Sequence, residues 1–275
     1  MPDRYAVMGN PIAHSKSPQI HTAFAQQTDQ DLTYTAIQVE KGKLAEAVTA
    51  FQNQKGKGLN ITLPLKAEAW ERVDKCSPRA QRARAVNTLT LEENGSLRGD
   101  NTDGIGLVRD LIENHGGLIR DQRLLLLGAG GAAAGVIEAL LDEKPARLVV
   151  VNRTPAKAIE LATRFSPLGA VTGGGYELLA SGPFNLIINA TASSLQGELP
   201  PLPQGILHPG GWVYDMMYGN EPTVFMKWGQ TQGAAQALDG LGMLVEQAAE
   251  AFFIWRKLRP QTAPVIAQLR QEMAG

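Results

Sequence analysis

The sequence predicts an α/β fold in two domains, one with a mainly parallel sheet and the other doubly wound. Three observations predict it. Strand-like and helix-like segments alternate as β-α-β-α-β-α through the first 75 residues, the order of a parallel sheet with covering helices. A strand, glycine turn, helix and second strand run from Leu124 to Thr154, the unit of a Rossmann-type domain. Between them, Gly99-Asp100-Asn101-Thr102-Asp103-Gly104 is the densest turn signal in the chain and marks the domain boundary.

Bulk properties agree with this. A length of 275 residues suits one large domain or two ordinary ones, and 44% apolar with 19% charged residues is a globular balance. With 26 basic and 27 acidic residues, net charge −1, no global field draws in nucleic acid or anionic lipid. The single cysteine, Cys76, has no disulfide partner, and Cys/His spacing of a metal site is missing, so no metal is expected. No apolar run is long enough for a membrane span, and Met1-Pro2-Asp3-Arg4 does not open a secretory signal. The expectation is a cytoplasmic protein, monomer or homodimer, acting on a small molecule.

Arg4 to Gly9 is the first strand. Ser17-Pro18 starts a helix to about Gln27, with hydroxyl at N-cap and proline at N1. Capping accounts for Ser17 and leaves Ser15 without a role. Two hydroxyls flanking Lys16 at a strand-to-helix junction serve equally well as a cap or as a seat for a small carboxylate. Leu32–Val39 is a strand, Lys43–Gln52 a helix, and Gly58–Thr62 a third strand. Lys66 opens the next helix just past a strand's carboxyl end, where open α/β sheets place ligands, although a lone lysine there is ordinarily a solvated charge. Three arginines between Arg79 and Arg84 read as a solvated helix face. In the strand Ala85–Leu91, polar Asn87-Thr88 interrupts apolar residues and calls for buried partners or a ligand. Asn94-Gly95 makes a hairpin turn. Thr102 or Asp103 caps a helix to about His115, so capping competes with chemistry for Asp103.

In the turn after Leu127, Gly128 allows the tight bend. Gly130 lets the backbone approach a pyrophosphate, and Ala133 lets the helix lie close to the sheet. The second strand ends without the Asp or Glu that an NAD site keeps for the ribose. Instead Asn152-Arg153-Thr154 and Lys157 offer a guanidinium, a hydroxyl and an ammonium, which suits a phosphate ester and favours NADP. Thr154-Pro155 is also a good helix start. Phe184–Asn189 is a third strand of this domain, and Trp212–Asp215 a fourth, running into Met216-Met217-Tyr218; Pro200–Pro209 is a surface loop without readable chemistry. Asp239-Gly240-Leu241-Gly242 leads a long helix to about Lys257, whose Met243, Leu244, Ala248, Ala251, Phe252 and Trp255 repeat as core, with Gln247 toward a cleft. A final helix, Pro264–Met273, returns to the first domain.

Taken together, these stretches resemble the NADP-dependent shikimate dehydrogenase family. The resemblance rests on Gly9-Asn10-Pro11 with Ser15-Lys16-Ser17-Pro18 and His21, Asn60-Ile61-Thr62-Leu63-Pro64 with Lys66, and Ala85-Val86-Asn87-Thr88. It continues through the 99–104 turn, the glycine turn, Asn152-Arg153-Thr154, Asn189-Ala190-Thr191, and Asp239 to Leu244 with Gln247. The resemblance implies a substrate domain of residues 1–102 plus 239–275 and an NADP domain of 103–238, with NADPH reducing 3-dehydroshikimate to shikimate across a cleft. Carried over by position, Ser15 and Ser17 bind the substrate carboxylate, and Asn60, Thr62, Asn87, Tyr218 and Gln247 surround the ring. Lys66 and Asp103 resemble the catalytic pair. Gly128, Gly130, Gly131, Ala132 and Ala133 hold the pyrophosphate, Asn152, Arg153, Thr154 and Lys157 the 2′-phosphate, and Thr191, Met216 and Gly240 the nicotinamide half.

The residue types suit that chemistry. Hydride transfer to a ketone leaves negative charge on oxygen, which needs a cation and a proton, and Lys66 as ammonium offers both. A carboxylate beside it favours the ammonium and opposes its use as a base, so the expectation is a Lys66–Asp103 unit, with Lys66 carrying the proton and Asp103 orienting. Two departures stand out: Arg84 replaces the family's usual glycine ahead of Ala-Val-Asn-Thr, and Ala192 replaces a common serine. The rival readings are a quinate/shikimate dehydrogenase of broader range and a non-catalytic NADP sensor.

Overall fold

The computed structural model describes residues 1–274. The chain divides into two compact units, Met1–Gly106 with Val245–Gln268, and Leu107–Leu244 with the segment from Leu269 onward.

The first unit contains β1 (Asp3–Gly9), α1 (Ser17–Gln27), β2 (Leu32–Gln38), α2 (Leu44–Asn53), β3 (Gly56–Ile61) and α3 (Lys66–Trp70). After these come β4 (Lys75–Cys76), α4 (Pro78–Ala83), β5 (Thr88–Leu91), β6 (Leu97–Asp100) and the start of α5 (Asp103–Arg109). The sheet order is β2-β1-β3-β5-β6-β4. β1 runs parallel to β2 and β3, whereas β5 is antiparallel to β3 and β6, so the parallel layer is extended by a hairpin turning at Gly95, φ +86°. Leu59, Ile61, Leu65, Val86 and Leu89 bury one face with Leu44, Val48 and Phe51 of α2. Polar residues end the strands where this core stops.

The second unit is an all-parallel sheet, β12-β11-β10-β7-β8-β9. Its strands are β7 (Arg123–Leu127), β8 (Arg147–Val151), β9 (Val171–Gly174), β10 (Phe184–Asn189), β11 (Leu207–Asp215) and β12 (Gln236–Asp239). The connecting helices are α6 (Gly131–Asp142), α7 (Pro155–Phe165) and α8 (Val224–Thr231), and α5 extends into a π-helical turn at Asp110–Asn114. The order reverses between β7 and β10, which places the switch point beside the glycine turn. The near-continuous apolar runs of β7 and β8 fit strands buried on both faces.

Sequence reading passed over β4, β9 and β12. β9 reads Val-Thr-Gly-Gly, a loop-like composition, because α7 passes so close that a Cβ on Gly173 would lie 1.9 Å from the Ala158 carbonyl oxygen. β12 is short and lies at the sheet edge, paired to β11 from Trp212↔Gln236 to Asp215↔Asp239. That pairing groups Asp239–Leu244 with the second unit, so the boundary inside α9 (Leu241–Arg256) falls later than residue 239. The last helix, α10 (Ala263–Ala274), is divided as well: Leu269 is buried and the Arg270 guanidinium clasps the Asp239 carboxylate, which ties its second half to the same unit.

Candidate active site

In the first unit, β1 and β3 end side by side. A Cβ on Gly9 would lie 2.4 Å from the Thr62 methyl, so glycine is what lets these two turns touch. Asn10 N–H donates to the Leu63 carbonyl at 2.9 Å, joining the turn that leads to Ser15 with the turn that leads to Lys66. At α1 the expected cap is reversed. Ser17 is already helical, and the Ser15 hydroxyl accepts the Ser17 N–H at 3.3 Å. The Ser17 side chain is buried and lies toward the Tyr34 phenol instead.

From Tyr34 a continuous relay of hydrogen bonds crosses the strand ends. The Tyr34 hydroxyl donates to Asn60 Oδ1 at 2.7 Å, and Asn60 Nδ2 donates to the Asn87 carbonyl at 3.1 Å and to Thr88 Oγ1 at 3.2 Å. Thr88 Oγ1 donates to Asn87 Oδ1 at 2.8 Å, and Asn87 Nδ2 donates to Asp103 Oδ1 at 2.8 Å. Asp103 Oδ2 receives Lys66 Nζ at 2.5 Å, with the lysine side chain 15% and the aspartate 6% exposed. Gln247 Oε1 lies 3.2 Å from Asn87 Nδ2 and 3.3 Å from Thr102 Oγ1. Asn60, Lys66, Asn87, Asp103 and Gln247 are therefore one cluster, and Thr62 follows Asn60 by two positions, just past the end of β3. Both amide protons of Asn60 are engaged within the protein, so one acceptor lone pair is what it retains for a ligand.

Capping does not claim Asp103. Asn101 Oδ1 accepts the Asp103 N–H at 3.1 Å while Asn101 Nδ2 donates to the Ala85 carbonyl at 2.9 Å, so the neutral amide caps and the carboxylate is left for Lys66. The expectation of a solvated arginine face is corrected at Arg79. Its guanidinium forks onto Asp100, at 2.7 and 3.0 Å, and reaches Glu250 at 3.6 Å, holding the strand end before Asp103 and the turn of α9 after Gln247. Arg84 adopts φ +50°, the left-handed conformation that explains glycine in the family, and sits 5.9 Å over the Trp70 ring. Behind the cluster, His21 stacks on Tyr34 with ring centroids 4.2 Å apart and planes 3° apart; burial pushes its pKa down to about 3.

In the second unit, Gly128 has φ +108° and donates its N–H to the Val151 carbonyl at 2.8 Å. Gly130 caps α6 with nothing within 4 Å of where its Cβ would point, and Ala133 is buried against the sheet. The first turn of this helix, with Gly131 and Ala132, has no acidic residue and no side-chain cap, so its amides are open to an anion. A groove of about 470 Å³ leads away from it, lined by Gly128, Asn152, Arg153, Tyr176, Thr191 and Pro200 among others. The proline loop therefore contributes a wall, contrary to the sequence reading. Arg153 and Lys157 are exposed and form no ion pair among the described residues, and Thr154 leads α7 without using its hydroxyl as a cap. A free fork, a free ammonium and an open helix end fit a phosphorylated dinucleotide. A Cβ on Gly240 would lie 2.3 Å from the Met216 carbonyl oxygen, which explains glycine there and brings Gly240 to Met216. Tyr218 belongs to this unit; burial and then the Asp239 charge push its phenol up. Where Ala192 lacks a hydroxyl, Ser193 Oγ lies 2.6 Å from Thr191 Oγ1.

Among the described residues no group of His, Cys, Asp and Glu is arranged to hold a metal, and no helix is long and apolar enough to cross a membrane. Sequence reasoning missed Tyr34, Arg79, Asp100, Asn101 and Tyr176. Asp100 and Asn101 stood in a visible turn signal, whereas nothing local marks Tyr34 or Tyr176.

Family models match three stretches: "Shikimate dehydrogenase substrate binding domain" at residues 7–89, "Shikimate / quinate 5-dehydrogenase" at 110–195, and "Shikimate 5'-dehydrogenase C-terminal domain" at 240–270. The chain is 81% identical to "Shikimate dehydrogenase (NADP(+))" of Nitrosococcus oceani over 99% of this chain and 97% of that protein. Among solved structures it resembles an Ael1 enzyme from Pseudomonas putida, with TM-score 0.89, 45% identity, and 97% and 98% of the two chains covered. It also resembles shikimate 5-dehydrogenase from Thermus thermophilus in complex with NADP(H) and shikimate, with TM-score 0.86, 31% identity, and coverage of 98% and 99%.

Proposed function

Because the chain belongs to the NADP-dependent shikimate dehydrogenase family, we propose that its first unit binds substrate and its second unit NADP(H) for the reversible reduction of 3-dehydroshikimate to shikimate. This is a step of the shikimate pathway to aromatic amino acids. The observation that carries the assignment of the site is the Lys66 ammonium, 2.5 Å from Asp103 and mostly shielded from water at the end of a relay of amides. NADPH, when bound, supplies the hydride. Lys66 places positive charge where the ketone oxygen becomes negative and delivers the proton that completes the hydroxyl. Asp103, fixed through Oδ1 by Asn87, holds the ammonium in place and orients the hydroxyl. Ser15 and Ser17 take the substrate carboxylate, Thr62 and Gln247 its hydroxyls, and Tyr218 adds a phenol. Gly128 to Ala133 bind the pyrophosphate and Arg153, with Asn152, Thr154 and Lys157, the 2′-phosphate. Thr191, Met216 and Gly240 border the nicotinamide. The protein acts in the cytoplasm as a monomer or homodimer.

The test follows absorbance of reduced nicotinamide with shikimate or quinate, each with NADP and with NAD. Shikimate with NADP is expected to give the highest kcat/KM, and no shikimate-dependent reduction would refute the function. Lys66→Ala is expected to lower kcat roughly 10²–10⁴-fold, the range of one acid–base group. Near-full turnover in that variant would remove Lys66 from the mechanism.

A further inference from the structure

Asp215 ends β11 in the second unit, fully buried, and no Lys, Arg or His forms an ion pair with it among the described residues. Four neutral donors surround it instead, two on each oxygen. Oδ1 accepts Asn189 Nδ2 and the Met217 N–H, both at 3.1 Å. Oδ2 accepts the Ser194 hydroxyl at 2.6 Å and the Thr223 hydroxyl at 2.7 Å. Burial pushes the carboxyl upward, and these four bonds oppose it.

The donors are not scattered. Ser194 lies on the loop after β10, and Met217 and Thr223 on the loop after β11, where Thr223 also caps α8 by accepting the Met226 N–H at 3.2 Å. Asn189 passes the constraint on: its Oδ1 accepts the Thr191 N–H at 3.1 Å and the Thr191 hydroxyl at 2.6 Å. One carboxylate thus sets both loops that carry Thr191 and Met216. Such a site, with both oxygens engaged and no counter-cation, fixes geometry at the expense of desolvating a charge.

We propose that Asp215 is a positioning residue for the nicotinamide half of the coenzyme, holding the loops after β10 and β11 in their binding conformation without touching the coenzyme itself. This rests on the assignment of NADP to the second unit. In Asp215→Asn the amide keeps the shape and its nitrogen faces two hydroxyls that already accept other N–H donors, so the loops loosen while the core stays filled. The Kd for NADP+, measured by calorimetry without substrate, is expected to rise about tenfold, the worth of one charge-assisted hydrogen bond. KM for NADP rises with it and by more than KM for shikimate, whose one residue on these loops is Tyr218, and far-UV circular dichroism is unchanged. Ser194→Ala serves as the second variant should Asp215→Asn fold poorly. It removes one donor from Asp215 Oδ2, and a several-fold loss of NADP+ affinity is expected in this variant alone, whereas unchanged affinity in folded Ser194→Ala would overturn the proposal. A folded Asp215→Asn that binds NADP+ as the unaltered protein does, or a parallel rise of both KM values, overturns the proposal. Failure of the unaltered protein to bind NADP+ overturns the coenzyme assignment instead.

Discussion

His21 makes the first unit sensitive to acid by an amount that follows from its surroundings. It is 1% exposed, enclosed by Tyr34, Phe24, Phe252 and Trp255, and its Nε2 has no hydrogen-bond partner among the described residues. Burial lowers its pKa from 6.5 to about 3, so between those values the unfolded chain holds a proton that the folded chain does not. Stability is therefore complete above the unfolded value and falls as pH drops through 6.5, by about 1.4 kcal/mol per unit until the folded value is reached. At pH 5 the loss is about 2 kcal/mol, a large share of the roughly 5–15 kcal/mol that ordinarily separates folded from unfolded domains. His14, His115 and His208 are exposed, so the buried-imidazole penalty falls on His21 alone. The assay is urea unfolding at pH 7.5 and pH 5.0, followed by tryptophan fluorescence, for the unaltered protein and His21→Phe. Phenylalanine preserves the stack on Tyr34 and cannot be protonated. The unaltered protein is expected to lose about 2 kcal/mol more than the variant over that interval. Equal losses in the two, to within about 0.5 kcal/mol, would refute the argument.

Three other outcomes test the site. Arg153→Ala is expected to raise KM for NADP about 10- to 100-fold, the worth of an arginine–phosphate bond, while leaving KM for NAD nearly unchanged, as initial rates with each coenzyme would show. Arg79→Met removes a fork on Asp100 and the contact to Glu250; a loss of about 2 kcal/mol in urea unfolding is expected, with kcat falling because Asp103 and Gln247 lose support. Asn87→Asp sets a second carboxylate 2.8 Å from Asp103, where both cannot ionise freely. Its pH–rate profile is expected to shift, whereas that of Asn87→Ala is lowered at every pH.

What the sequence disclosed and what it hid follow one physical rule. Features enforced within a short window were legible: the glycine turn before α6, the apolar runs of β7 and β8, the missing carboxylate after Val151, and Lys66 at a strand's carboxyl end. Each depends on backbone freedom or alternation that a few residues encode. Features enforced by distant partners were not. Arg79 looks like any surface arginine until Asp100 and Glu250 are brought to it, and Ser15 looks unused until Ser17 turns out to lie inside the helix. β9 was invisible because its glycines answer to the backbone of α7 rather than to their neighbours. The polar Asn87-Thr88 pair was the intermediate case: its demand for partners was readable, the identity of those partners was not.

Asparagine recurs at the ends of these strands for a reason that bears on the chemistry. Asn60 ends β3 near Thr62, Asn87 leads into β5, Asn101 follows β6, and Asn189 closes β10, all four buried. Each amide satisfies a neighbouring backbone or hydroxyl group with a donor and an acceptor from one rigid plane. None of them titrates, so the hydrogen bonds of the amides themselves carry no proton-dependent charge, although Asn189 leans in turn on the Asp215 carboxylate. A carboxylate or histidine in the same places would clamp as well, but its hold would change as it gained or lost a proton. In the first unit the neutral amides of Asn60, Asn87 and Asn101 hold the strand ends around the Lys66–Asp103 pair. On the proposed mechanism, the amides that aim Lys66 and Asp103 therefore undergo no charge change of their own.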